Sequence, residues 1–89
     1  MIKTTVKIIN KLGLHARASA KFVALAARYQ SQIDVTFNKK TVNGKSIMGV
    51  MMLAGGVGSE LEMVIEGPDE VEMEKALVAL INNRFGEPE

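Results

Sequence analysis

Apolar and polar residues alternate along the first stretch of the chain, with Ile2, Thr4, Val6 and Ile8 interleaved with Lys3, Thr5 and Lys7. A period of two predicts a strand buried on one side. After a short loop over 10–15 the pattern changes. From Ala16 to about Gln30 the chain is Ala-rich, and at ~100° per residue Ala18, Phe22, Leu25 and Tyr29 fall on one stripe, which predicts an amphipathic helix. Alternation returns where Ile33, Val35 and Phe37 face away from Gln32, Asp34 and Thr36, giving a second strand. A turn near 38–40 leads into a short third strand, closed by the turn-forming pair Asn43-Gly44.

Ser46 precedes an apolar segment, Ile47 to Leu53, that reads as a short helix ended by Gly55-Gly56. Leu61, Met63 and Ile65 alternate with Glu60, Glu62 and Glu66 as a fourth strand, and Gly67-Pro68 breaks it. Asp69 with Glu72 has the spacing of a capping box, opening a helix whose expected buried stripe is Met73, Ala76, Leu77, Leu80 and Ile81. The order β-α-β-β-α-β-α predicts an α+β fold, a four-stranded antiparallel sheet with three helices on one face. At 89 residues, without an internal repeat or a low-complexity linker, a single domain over 1–89 is expected.

Composition removes several chemistries. The chain has no Cys and one His, so disulfides, thiol catalysis, thiolate metal sites and His-cluster metal sites are excluded; no metal and no cofactor are expected. The net charge of +1 conceals a split. Residues 1–58 hold nine bases against Asp34, a sum of +8, and residues 59–89 hold nine acids against Lys75 and Arg84, a sum of −7. Such halves suit either a face that meets an anionic partner or two segments that attract each other across the fold. The start of the chain has no signal-peptide core, and the longest apolar run, Ile47 to Ala54, is far short of the ~20 residues that cross a bilayer. The expectation is a soluble cytoplasmic monomer without membrane insertion.

Two glycine-bearing segments imitate nucleotide sites. Gly44-Lys45-Ser46 lacks the earlier glycine of a P-loop, where Lys39 stands, and Gly55-Gly56-Val57-Gly58 leads out of a helix into a strand, the reverse of a dinucleotide motif. Both are expected to be turns.

His15 lies where the first loop meets the first helix. A lone His there can simply be a surface or capping residue. However, the first N–H groups of a helix have no internal partner and attract anions, and Arg17 adds a fixed fork-shaped cation that matches a phosphoryl group. The positive helix end favours the neutral, nucleophilic imidazole. His15 with the backbone of Ala16 and Arg17 is therefore a plausible phosphoryl acceptor, with no acid or base cluster expected beside it to hydrolyse the product.

The stretches Leu12 to Ala20, LGLHARASA, and Asn43 to Ala54, NGKSIMGVMMLA, resemble the HPr phosphocarrier family of the bacterial phosphoenolpyruvate-dependent sugar phosphotransferase system, and the resemblance runs from Ile2 to Phe85. It implies an open-faced β-sandwich. It also implies that His15 takes a phosphoryl group from enzyme I on Nδ1 and passes it to enzyme IIA domains, that Arg17 assists, and that Ser46 is the serine modified by an HPr kinase/phosphorylase. The chain is then a stoichiometric carrier, not an enzyme. A phosphoramidate keeps a high transfer potential whereas a phosphoserine ester does not, which suits His15 to relay and Ser46 to regulation. Ala18 departs from the family, where many members have Pro; since Pro there only pre-sets a helical turn, the chemistry is expected to survive.

Ser46 is also the natural N-cap of the short helix, a role contributing about 1 kcal/mol. That helix is too apolar for one buried face, so Ile47, Met48 and Met51 are expected to be partly exposed and, with Lys21 and Lys45, to bind partners. Arg17, Lys21 and Arg28 fall within about 40° on the first helix as a steering stripe. A nitrogen-related phosphotransferase branch is the alternative carrier role. A small nucleic-acid-binding α+β domain and an effector-binding regulatory domain are the rivals from other classes; the first lacks an aromatic stacking motif and the second any nominated ligand.

Overall fold

The computed structural model describes residues 1–89. The strands are β1 (Ile2–Lys7), β2 (Gln32–Phe37), β3 (Lys40–Asn43) and β4 (Glu60–Glu66), and the helices are α1 (Ala16–Ala26), α2 (Ile47–Met52) and α3 (Glu70–Asn82), with a 3-10 turn over Arg84–Gly86. All four strands lie in one sheet of order β1-β4-β2-β3. β4 pairs antiparallel with both β1 (Ile2 opposite Ile65, Lys7 opposite Glu60) and β2 (Ile33 opposite Ile65). β1 and β2 are therefore parallel to each other with β4 between them, and β3 returns from β2 as a local hairpin.

Alternation decides which face is covered. Leu61, Met63 and Ile65 of β4, Ile33 and Val35 of β2 and Val6 of β1 are buried beneath the helices, which supply Ala18, Phe22, Val50, Met73, Leu77 and Ile81 to the same core. Of the side chains that alternate with them, Lys3, Lys7, Glu60 and Glu66 are exposed and Glu62 and Val64 are half-buried. The result is the open-faced α+β architecture expected from the element order. Both glycine-bearing decoys are turns: Gly44 donates to Ile33 O, and Gly58 donates to Ile8 O in continuation of the β1–β4 pairing.

Three details differ from the expectation. α1 ends at Ala26, short of Gln30, and its buried residues are Ala18, Ser19, Phe22, Val23 and Ala26, with Leu25 and Tyr29 only partly buried. Tyr29 and Arg28 lie beyond the helix, in a connection pinned from outside: Asp69 accepts the backbone N–H groups of Gln30 and Ser31, and Lys45 Nζ donates to Tyr29 O. The capping box does not form, because the Asp69 carboxylate is committed to Gln30 and Ser31 and makes no cap bond at α3. In α3 itself Met73, Leu77 and Ile81 are buried while Ala76 and Leu80 are half-buried.

Candidate functional site

The loop before α1 is shaped by backbone contact. Gly13 adopts a left-handed φ of +67°, and a Cβ there would stand 2.5 Å from Gly55 O, so a glycine lets the loop lie directly on the segment that follows α2. Leu14 N–H donates to that same Gly55 carbonyl at 2.8 Å. This contact places His15 at the N-cap of α1 and beside the end of α2.

His15 is extended (φ −72°, ψ 177°) and its carbonyl accepts the first helical bond from Ser19 N–H at 2.9 Å, but its side chain makes no cap bond. The ring is left free for something else. It is 28% exposed, and Nδ1 has no hydrogen-bond partner. Nε2 instead meets the carboxylate of Glu87, from the end of the chain. Together with Lys11, Leu12, Ala16, Arg17, Pro88 and Glu89 these two residues line an open recess of about 640 Å³. Arg17 is exposed, takes part in no ion pair, and lies one residue inside the helix, where the N–H groups of the first turn lack internal acceptors.

Glu87 is the neighbour of His15 that sequence reasoning missed: a single carboxylate, where no acid or base cluster was expected, stands against the ring. Its carboxyl is held below the usual range, first by the hydrogen bond from Asn10 and then by His15. An ionised carboxylate only accepts, so Nε2 carries the ring proton and, in the neutral ring, Nδ1 carries the lone pair. Seventy-two positions separate the pair. The one sequence signal was Phe85, a large apolar residue able to anchor a polar tail.

The other expected residues are placed as follows. Ser46 caps α2, its Oγ accepting Gly49 N–H at 3.1 Å. Ile47, Met48 and Met51 are exposed, together with Met52 and, on the His15 loop, Leu12. α2 packs against α1. Lys21 and Lys45 hold the fold internally, Lys21 through Phe85 O and Lys45 through Tyr29 O, both at 2.7 Å. The stripe of Arg17, Lys21 and Arg28 is not one helical row, because Arg28 follows the end of α1. No group of three or more His, Asp and Glu side chains is arranged to hold a metal ion.

A family model described as "PTS HPr component phosphorylation site" matches residues 2–83. The chain belongs to the HPr family. Two HPr relatives measure the likeness: the phosphocarrier protein of Cupriavidus necator is 56% identical over 89 residues, all of both chains, and that of Pseudomonas aeruginosa is 59% identical over 85 residues, 94% of each. The fold agrees as closely. An HPr crystal structure from Thermoanaerobacter tengcongensis superposes with a TM-score of 0.95 at 48% identity over all of both chains, and one from Bacillus anthracis with 0.86 at 42% identity over 90% of this chain and 95% of the other. HPr is a phosphocarrier of the phosphotransferase system, so the chain's role is that of a phosphotransfer carrier. Glu87 lies outside the residues that the family model matches.

Proposed function

We propose that this chain, acting as one HPr-like domain over 1–89, accepts a phosphoryl group from enzyme I on His15 Nδ1 and passes it to enzyme IIA domains during sugar uptake. The observation that carries the reading is the His15 ring, whose Nδ1 has no hydrogen-bond partner, which does not cap its own helix, and which lines an open recess with Ala16 and Arg17. In-line attack by Nδ1 forms the new N–P bond as the donor's bond to phosphorus breaks. Arg17 and the backbone N–H groups of Ala16 and Arg17 balance the phosphoryl charge in both partners' complexes. Carriage is stoichiometric and takes place in the cytoplasm.

The exposed Ile47, Met48 and Met51 supply adaptable contact area beside His15. Lys21, against the turn at Phe85, and Lys45, next to Ser46, add positive field for acidic partners while their ammonium groups serve internal carbonyls. Phosphorylation of Ser46 by an HPr kinase/phosphorylase would place a dianion at the edge of this patch and act by repelling partners. A nucleic-acid role finds no support on the open sheet face, since all four aromatic residues are in the core or packed against it.

The test is intact-mass analysis after incubation with phosphoenolpyruvate and catalytic enzyme I. The wild-type chain gains one phosphoryl group and His15→Ala gains none. No gain in the wild type, or an equal gain in His15→Ala, overturns the reading.

A further inference from the structure

Glu87 splits its two oxygens between two side chains. Oε1 accepts Asn10 Nδ2–H at 2.9 Å, and Oε2 accepts from His15 Nε2. Asn10 is fully buried, and its second Nδ2 hydrogen goes to Gly13 O at 2.9 Å. Turning the amide over would cost both donors. It stays in this orientation although Oδ1 is thereby left without a partner, so the amide is held by its two donor bonds, one to the loop and one to Glu87.

The carboxylate is also held from its own side. Arg84, Phe85 and Gly86 have φ of 55°, 54° and 80°, a left-handed run that turns the tail back onto the molecule. Phe85 is fully buried, and its carbonyl accepts Lys21 Nζ–H at 2.7 Å. Beyond the turn, Lys11 N–H donates to Glu89 O at 2.9 Å. The tail is thus fixed on both sides of Glu87.

We infer that Glu87, oriented by Asn10, is a positioning residue for phosphoryl transfer: it holds the His15 ring through Nε2–H and presents Nδ1 as the nucleophile. This deepens the phosphocarrier reading and rests on it. During acceptance the Nδ1 lone pair forms the N–P bond, and the bonding pair between phosphorus and the donor leaves with the donor. Nε2 keeps its proton, the ring becomes cationic, and the fixed carboxylate faces the new charge. The roles reverse on donation, with no net proton movement. A carboxylate that orients an imidazole and stabilises its cation does similar work in hydrolase triads.

The experiment combines ring-nitrogen NMR of His15 with single-turnover phosphoryl uptake from phosphorylated enzyme I, for wild type, Glu87→Ala, Glu87→Gln and Asn10→Ala. In the wild type Nε2–H is the predominant tautomer of the neutral ring. Glu87→Ala shifts the ring signals towards those of free imidazole and slows uptake about tenfold. Glu87→Gln, which keeps an acceptor oxygen without the charge, restores the tautomer and part of the rate. Asn10→Ala moves both readouts in the direction of Glu87→Ala. Amide hydrogen exchange confirms an intact core in each variant, and the Glu87 variants decide the matter if Asn10→Ala is unfolded. Ring signals and uptake in Glu87→Ala within twofold of wild type overturn the inference while leaving the carrier reading standing. Absence of uptake by the wild type overturns both.

Discussion

Ser31 and Asp69 are bonded in both directions: the Ser31 hydroxyl donates to Asp69 Oδ1 and accepts the Asp69 backbone N–H at 3.2 Å. The same carboxylate accepts the N–H groups of Ser31 and Gln30, each at 2.9 Å. One side chain therefore ties the α1–β2 connection to the start of α3, and the Ser31 hydroxyl, followed by the Gln30 N–H, holds its carboxyl below the ordinary carboxylate range.

This contact fixes the sign of a pH effect. Because the folded carboxyl titrates below its usual 3.8, its contribution is fully present above that value and is lost as pH falls through the folded one. Asp69→Asn is expected to lower the melting temperature at neutral pH and to flatten the acid limb of stability against pH. Glu70 and Glu87 are lowered as well, so part of that limb remains. Thermal melts from neutral pH down to pH 2 test this; an acid limb as steep as that of wild type would count against it.

Gly13→Ala would press a Cβ into Gly55 O while forcing a left-handed alanine. The expected cost is roughly 1–3 kcal/mol. Phosphoryl uptake should slow too, since the Leu14–Gly55 bond that seats His15 is disturbed. Urea denaturation and uptake rate, measured on one preparation, should move together.

Ser46→Ala removes the bond to Gly49 N–H and is expected to destabilise the fold by about 1 kcal/mol. Acceptance at His15 should be unchanged. Ser46→Asp keeps a capping oxygen and should retain the stability while lowering transfer rates with enzyme I and enzyme IIA. Equal rates for Ser46→Asp and wild type would remove the regulatory role.

Phe85→Ala deletes a fully buried ring from the core. The expected loss is about 3–5 kcal/mol. Hydrogen exchange at residues 84–89 should rise ahead of global opening, because the anchor of the tail is gone. A loss below about 1 kcal/mol would show that the site has collapsed around the missing ring.

What could be read in advance was set by repetition along the chain. Leu61, Met63 and Ile65 repeat every second position and all three are buried, so β4 was legible in face as well as extent. His15 and Ser46 were legible because each stands at a helix start, a local property. The end of α1 was not: Ala27 is as good a helix former as the residues before it, and the chain leaves the helix where Asp69 and Lys45, both distant in sequence, take the backbone groups of residues 29–31. Asp69 itself satisfies the capping spacing and spends its carboxylate elsewhere, since three N–H or O–H donors compete for it from the other side. Glu87 had no local partner at all. The charge split proved to describe the fold as well as its surface: Met1 with Glu70, Lys11 with Glu89 and His15 with Glu87 each join the basic segment to the acidic one.

The sheet order also has a consequence for how the molecule is made. β4, the strand against which both β1 and β2 lie, is the last of the four to leave the ribosome, and Ile2 waits for Ile65 to appear. Until residue 66 is free, a nascent chain can close only the β2–β3 hairpin and holds β1 as an open edge, so its sheet is assembled late and across nearly the whole length of the chain. Chains stalled before that point should be the ones that chaperones capture.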